Sequence, residues 1–205
     1  MIYPRHFVRA LRKLGSVADG LGATWMLIGG VAVAKWGFPR ATKDVDLTIS
    51  VGVSHSSDVD GLLNAAGFEK LDGPSEINDS QLLVSKYWLP TPGLSEEDGI
   101  GVDLFFTNME WQEEAMARRV MARAEGQKQA FWIASREDLL LYKLLAYRAK
   151  DIIDLEGLME RQYVNMDWHY AARWAESLGL LPALQDIVFQ YQAEHGIPEA
   201  LPWGP

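Results

Sequence analysis

The sequence predicts an α/β (α+β) chain: a mixed sheet interleaved with helices, followed by an all-helical tail. Three observations carry that prediction. Short apolar or alternating runs recur at Thr24 to Ile28, Val45 to Ile49, Gln81 to Leu89 and Ile100 to Phe106, as buried or half-buried strands do. Between them apolar residues return every three or four positions, the period of a helix face. From Ser135 the strand pattern stops and helical periodicity continues to the end of the chain. With 205 residues, 48% of them apolar, the chain can bury a full core, which excludes disorder as a global description.

Phe7, Leu11, Leu14, Ala18 and Leu21 step along one face of an opening helix that Gly20 and Gly22 end. The run from Thr24 to Ile28 reads as a buried strand closing in a sharp turn at Gly29-Gly30. Residues 31 to 36 fit strand or helix; a short helix is chosen, because its N-terminal amides would point back at the glycines. A loop with Pro39 leads into the strand at 45 to 49. Residues 56 to 67 read as a helix closed by Gly67, and 81 to 89 as a strand rich in β-branched and aromatic residues. Pro90 to Asp98 has the composition of an exposed loop. A strand at 100 to 106, a helix at 109 to 119 and a hairpin at 120 to 133 around Gly126 follow. Ser135 with Asp138 three residues on reads as a capping box, and the helical tail after it breaks near Asn165 and Pro182. Residues 1–134 are thus expected to form an α/β core, and 135–205 a helical subdomain packed on it.

Composition removes several functions. There is no Cys, hence no disulfide framework, thiolate nucleophile or Cys-ligated zinc, and His6, His55, His169 and His195 are too scattered for a paired-His metal site. The longest apolar stretch, Trp25 to Ala34, is far below the roughly 18 residues of a membrane span, and the basic N-terminus lacks a signal core. A cytoplasmic protein is expected. The net charge of -9 argues at first against nucleic acid. By segment, however, residues 1–50 carry +4, 51–113 carry -10, 114–150 carry +4 and 151–205 carry -7, so two basic blocks alternate with acidic ones.

Asp44 and Asp46 are the first chemical candidates, since alternate strand residues share a face and two carboxylates so placed can hold a divalent cation. An acid-x-acid pair alone carries little: the 28 acids of this chain predict about four by chance, and four occur. The frame distinguishes this one. It follows Gly29-Gly30 by thirteen residues and is interleaved with Val45 and Leu47, so its charges meet a low-dielectric wall unless a cation neutralises them. Asp103, between Val102 and Leu104, repeats the arrangement in another strand.

Gly29-Gly30, the Asp44-Val45-Asp46-Leu47 run and the downstream Asp103 resemble the nucleotidyltransferase superfamily of the DNA polymerase β type. A narrower resemblance adds Arg40 to Leu47 and the segment Ser135 to Asp154, with its Lys143, Asp151 and Asp154, and is to the abortive-infection (AbiEii-type) nucleotidyltransferases, which include toxins of bacterial toxin-antitoxin pairs. That resemblance implies transfer of a nucleoside monophosphate from a nucleoside triphosphate (NTP) to a hydroxyl. It implies Asp44, Asp46 and Asp103 as ligands of two Mg²⁺, or Mn²⁺, and Gly29 and Gly30 against the phosphates.

Around that core, Arg40 and Lys43 are placed either to reach phosphate oxygens or in a solvated loop. Lys143 lies on a helix whose Leu140, Leu144 and Tyr147 form an apolar face, and is expected as a triphosphate or sugar ligand. Asp151 and Asp154, eight and eleven residues on, share its side of the same helix, either positioning it or forming a surface ion network. The acceptor implied is a tRNA or other RNA end, or a small hydroxylated molecule as in antibiotic-modifying relatives, with an antitoxin protein as a further partner. A pseudo-enzyme that holds a nucleotide or a partner without turnover is the binding-class rival.

Overall fold

The computed structural model describes residues 4–40, 42–77, 81–91, 99–123 and 130–204. Seven strands form one mixed sheet in the order β3-β4-β5-β2-β1-β7-β6. In chain order these are β1 (Trp25–Leu27), β2 (Asp44–Ile49), β3 (Glu69–Glu76), β4 (Leu83–Pro90), β5 (Gly99–Phe106), β6 (Val120–Arg123) and β7 (Ala130–Ile133). The pairs β2/β5 and β1/β7 are parallel, and the other neighbours antiparallel.

Two apolar layers cover the sheet. On one face Val45, Leu47 and Ile49 of β2 and Val102, Leu104 and Phe106 of β5 pack with Phe7, Leu11 and Leu14 of α1 (Arg5–Gly20) and Val59 and Leu63 of α3 (Ser56–Ala65). On the other, Phe105 and Val84 pack with Trp111 of α4 (Glu110–Arg118) and with Leu140, Leu144, Leu155, Leu158, Trp174 and Val188. The last six come from α5 (Arg136–Ala146), α6 (Ala149–Gln162), α7 (Trp168–Ser177) and α8 (Leu181–Glu194). The alternation of β2 explains the division, because its odd-numbered residues face one layer and its even-numbered residues the other.

The expected elements form with small shifts in their ends, and residues 29–36 are the helix α2. Ser135 caps α5 as its spacing predicts, accepting from the Asp138 amide at 3.1 Å. Residues 120–133 pair as antiparallel strands; the expected turn around Gly126, like the loop at 92–98, lies outside the described residues. Two features depart from expectation. The strand β3 has no buried residue and no apolar alternation, and exists by backbone pairing with β4 at the edge of the sheet. The helix expected to run on from Ser135 divides at Tyr147, whose φ of 40° ends α5 before α6 begins at Ala149. Among the described residues no helix is long and apolar enough to cross a membrane.

Candidate active site

The turn after β1 is built around the Asp46 carboxylate of β2. Ile28 N–H donates to the Asp46 carbonyl at 2.9 Å, Gly29 takes a φ of 55°, and α2 begins. Glycine is required at 29 both by that left-handed conformation and by space, since a Cβ would run into the Asp46 carboxylate. Gly30 N–H approaches Asp46 Oδ2 at 3.4 Å, and a Cβ at Gly30 would come within 2.7 Å of Thr42 Cβ. The two glycines therefore let the helix N-terminus close on β2.

Strand register then aligns the acids. Asp46 of β2 is paired with Asp103 of β5, Asp44 with Gly101, and Asp103 in turn with Lys86 of β4. Registered side chains share a face of the sheet, so Asp46, Asp103 and Lys86 form a row across three strands with Asp44 one step along. Gly101 leaves room for Asp44, whose Oδ1 occupies the volume where a Cβ would stand. Along β2 this face goes from buried Thr48 through partly buried Asp46 to exposed Asp44, emerging from beneath the helical layer. Burial pushes the Asp46 carboxyl up to about 6, with the charge of Asp103 adding to it and Lys143, Gly30 N–H and Lys150 opposing. Asp103 is also raised by burial, with Lys86 opposing and Asp44 adding.

Lys143 closes the opposite wall. It lines the same cleft as Gly29, Gly30, Asp46 and Arg40, yet only 4% of it is exposed. Its ammonium donates to Asp151 Oδ1 at 2.6 Å and Asp154 Oδ2 at 2.7 Å. Arg40 grips Asp154 with two hydrogen bonds, 2.8 and 2.9 Å, and Arg148 donates to Asp151 Oδ2 at 2.7 Å. The result is an alternating chain, Arg148–Asp151–Lys143–Asp154–Arg40, in which each buried carboxylate serves two cations. Burial opposes ionisation of Asp151, but Arg148 and Lys143 outweigh it and hold the carboxyl below the usual range. Arg40 and Lys143 do the same for Asp154 against its burial.

The sequence places Lys143, Asp151 and Asp154 on one continuous helix, and the structure corrects this. They meet across the corner between α5 and α6, where Asp151 also accepts from Arg148 N–H at 3.2 Å and so caps α6. Their mutual pairing is buried rather than a surface network. Lys43 stands exposed just ahead of β2. Three cations that the sequence reading passed over join the site: Arg148 through Asp151, and Lys86 and Lys150 through their fields at Asp103. Lys86 was detectable only through strand register, which no linear spacing shows.

The donor chemistry suits a hard divalent cation. Three carboxylates share one face, and among the described residues the one hydrogen bond to any of them is the 3.4 Å contact from Gly30. Two of them are raised by desolvation that a cation would relieve. Among the described residues no three acidic or histidine side chains by themselves enclose a metal, so the fit is one of ligand type and placement. Mg²⁺ ordinarily completes its shell with water and phosphate oxygens.

Residues 9–194 match the protein family described as "Nucleotidyl transferase AbiEii toxin, Type IV TA system". No curated protein matches the chain. Among solved structures it is similar to an antigenic nucleotidyltransferase-like protein from Paracoccidioides brasiliensis, at 18% identity over 89% of this chain and 92% of that one, with a TM-score of 0.51. Similarity extends to the antibiotic-resistance factor ANT(2'')-Ia, with 17% identity over 92% and 96% of the two chains and a TM-score of 0.45. It also extends to JHP933 from Helicobacter pylori, with 17% identity over 98% and 84% and a TM-score of 0.45.

Proposed function

The chain belongs to the AbiEii nucleotidyl transferase toxin family, and from that premise we propose that it transfers a nucleoside monophosphate from an NTP to a hydroxyl acceptor, dependent on Mg²⁺. The observation that carries the reading is the register that sets Asp46 beside Asp103, next to the Gly29-Gly30 turn. An acceptor oxygen bonds to the α-phosphorus as the bond to the β-phosphate oxygen breaks; pyrophosphate leaves and the acceptor proton passes to solvent.

Asp44, Asp46 and Asp103 are the residues that would hold the metal, which when bound neutralises charge on the attacking and leaving oxygens. Gly29 and Gly30 let the α2 N-terminus face the β- and γ-phosphates, where amide dipoles favour negative charge. Two of the three Lys143 ammonium hydrogens are committed to Asp151 and Asp154, leaving one donor for the triphosphate, aimed by carboxylates that cannot swing away. Asp151 and Asp154 are positioning residues for that ammonium. Arg40, Lys43 and Arg148 supply further cations for the phosphate tail.

Acceptor identity is proposed as an RNA 3' end, such as that of tRNA, in keeping with the two basic blocks of the sequence. The test incubates the protein with each α-labelled NTP, Mg²⁺ and either total RNA or small hydroxylated compounds. Label should pass to RNA and disappear in Asp46→Ala. Transfer to a small hydroxylated compound instead would replace the acceptor assignment, and label that never leaves the triphosphate with any acceptor would overturn the enzyme reading in favour of nucleotide binding.

A further inference from the structure

Outside the catalytic cleft, the helical layer carries a groove of about 370 Å³ between α6 and α8, lined also by Phe38 and Tyr147. Its apolar surface is unusually open to water: Phe38 is 48% exposed, Tyr147 50% and Ile152 38%. Tyr191 continues the floor, its ring stacked on His195 at 4.1 Å. Three large, half-exposed apolar side chains converging on one concavity are more than a monomer's scattered surface.

The walls are acidic on both sides. Glu156 and Glu160 stand along α6, Asp186 and Glu194 along α8. Glu160 pairs with His195 at 2.9 Å, and Gln190 donates to Glu194 at 3.0 Å. Glu156 and Asp186 make no ion pair among the described residues. Arg161 lies 5.3 Å from the Phe38 ring.

From this charge pattern we propose that the α6/α8 groove docks a basic amphipathic helix of a partner protein. Lining residues span eight steps on each wall, Ile152 to Glu160 and Asp186 to Glu194, or about 12 Å, a little over two helical turns. That length accepts an apolar stripe at i, i+3 or i+4, and i+7, with flanking Lys or Arg meeting the carboxylates on either side. Exposed Ile153, next to the groove at 64%, carries the apolar surface past the wall, which favours an occupant larger than a small molecule. A second copy of this chain fits poorly: its basic helix α1 buries its own apolar side, Phe7, Leu11 and Leu14, in the core, and like net charges of -9 repel. The groove also adjoins the cleft through one residue, because Tyr147 lines the groove while Ala146 and Arg148 line the cleft.

The proposal is independent of catalysis, and so is its test. The probe is a labelled 14-residue helical peptide with a Leu stripe flanked by Lys and Arg, compared with a twin carrying Glu at every basic position. Fluorescence anisotropy should show the basic peptide binding at least tenfold more tightly than its twin, and weakening as salt rises. The surface variant Glu156→Lys with Asp186→Lys, its fold checked by circular dichroism, should lose at least tenfold in affinity, and amide shifts on binding should cluster on residues 147–160 and 186–195. Equal binding of the twins, unchanged affinity in the variant, shifts elsewhere, or self-association of the protein through this face by sedimentation would each overturn it.

Discussion

Asp46 and Asp103 stand side by side on parallel neighbouring strands, and the charge of Asp103 helps to hold the Asp46 carboxyl, already raised by burial, at about 6. A pair so arranged is a strained site in the free protein, because ionising both acids near the apolar layer is unfavourable without a cation.

Stability should therefore improve when that charge is removed. A carboxyl whose folded value is above its unfolded value of 3.8 favours the folded state most at low pH, and the advantage is lost as pH rises through about 6. Asp46→Asn is expected to be more stable than the native protein at pH 8 by about 1–3 kcal/mol, with the gain shrinking between pH 6 and 4. Urea melts across pH measure it; a variant no more stable at pH 8 contradicts a strained carboxyl. The same substitution should abolish nucleotide transfer.

The ion chain across the α5/α6 corner has the opposite pH sign. Asp151 and Asp154 are held below their usual value, so their contribution is present above about pH 4 and is lost as pH falls through their lowered values. Breaking a buried pair from one side leaves an uncompensated charge, and Asp154→Asn is expected to cost about 2–4 kcal/mol, partly spared because Lys143 keeps its bond to Asp151. A Lys143–Asp154 double-mutant cycle should return a coupling of about 1 kcal/mol or more. Additive losses would mean that the two do not interact.

For the nucleotide site, Lys143→Ala in a still-folded protein should weaken triphosphate affinity roughly tenfold, the share of one charge-assisted hydrogen bond. Equilibrium binding of a non-hydrolysable triphosphate with Mg²⁺ reads this directly. Unchanged affinity would assign Lys143 to the fold alone.

Metal and triphosphate together should raise the melting temperature, by up to about 2.7 kcal/mol of added stability at a hundredfold excess over Kd. Asp44→Ala is expected to remove that shift while leaving the apo melting temperature almost unchanged, since Asp44 is exposed. A shift that survives the substitution removes Asp44 from the metal site.

Gly29→Ala should be far more damaging than its single methyl suggests. It forces an L residue to a φ of 55° and drives Cβ into the Asp46 carboxylate, so a loss of about 1–3 kcal/mol and of activity is expected. Gly20→Ala, where a Cβ meets nothing within 4 Å, is the control. Equal effects of the two would mean that the turn is not built around Asp46.

Much of the fold was legible because it rests on short-range patterns. The alternation of Val45, Leu47 and Ile49, the helical stepping of Phe7, Leu11 and Leu14, and the Ser135 cap each encode their element within a few residues. Edge strand β3 was not legible, since a strand whose eight residues all lie outside the buried class leaves no apolar signature and is held by backbone bonds to β4. Nor was the break at Tyr147, where neither Gly nor Pro marks the turn. The corner lets Asp151 accept from Arg148 N–H at the start of α6 while pairing with Lys143 and Arg148.

The sequence by itself determined most of the strands and helices in their order, apart from β3 and the α5/α6 break, and the candidate groups: a glycine turn, two acids on one strand face, a third acid in another strand, and a lysine in the helical tail. Only the tertiary structure decided which of them meet. Parallel pairing of β2 with β5 put Asp103 next to Asp46, antiparallel pairing of β4 brought in Lys86, and the α5/α6 corner enclosed Lys143 between Asp151 and Asp154. The physical reason is that periodicity is written in neighbouring residues, whereas register and the pairing of buried charges are settled by the free energy of burying whole surfaces together.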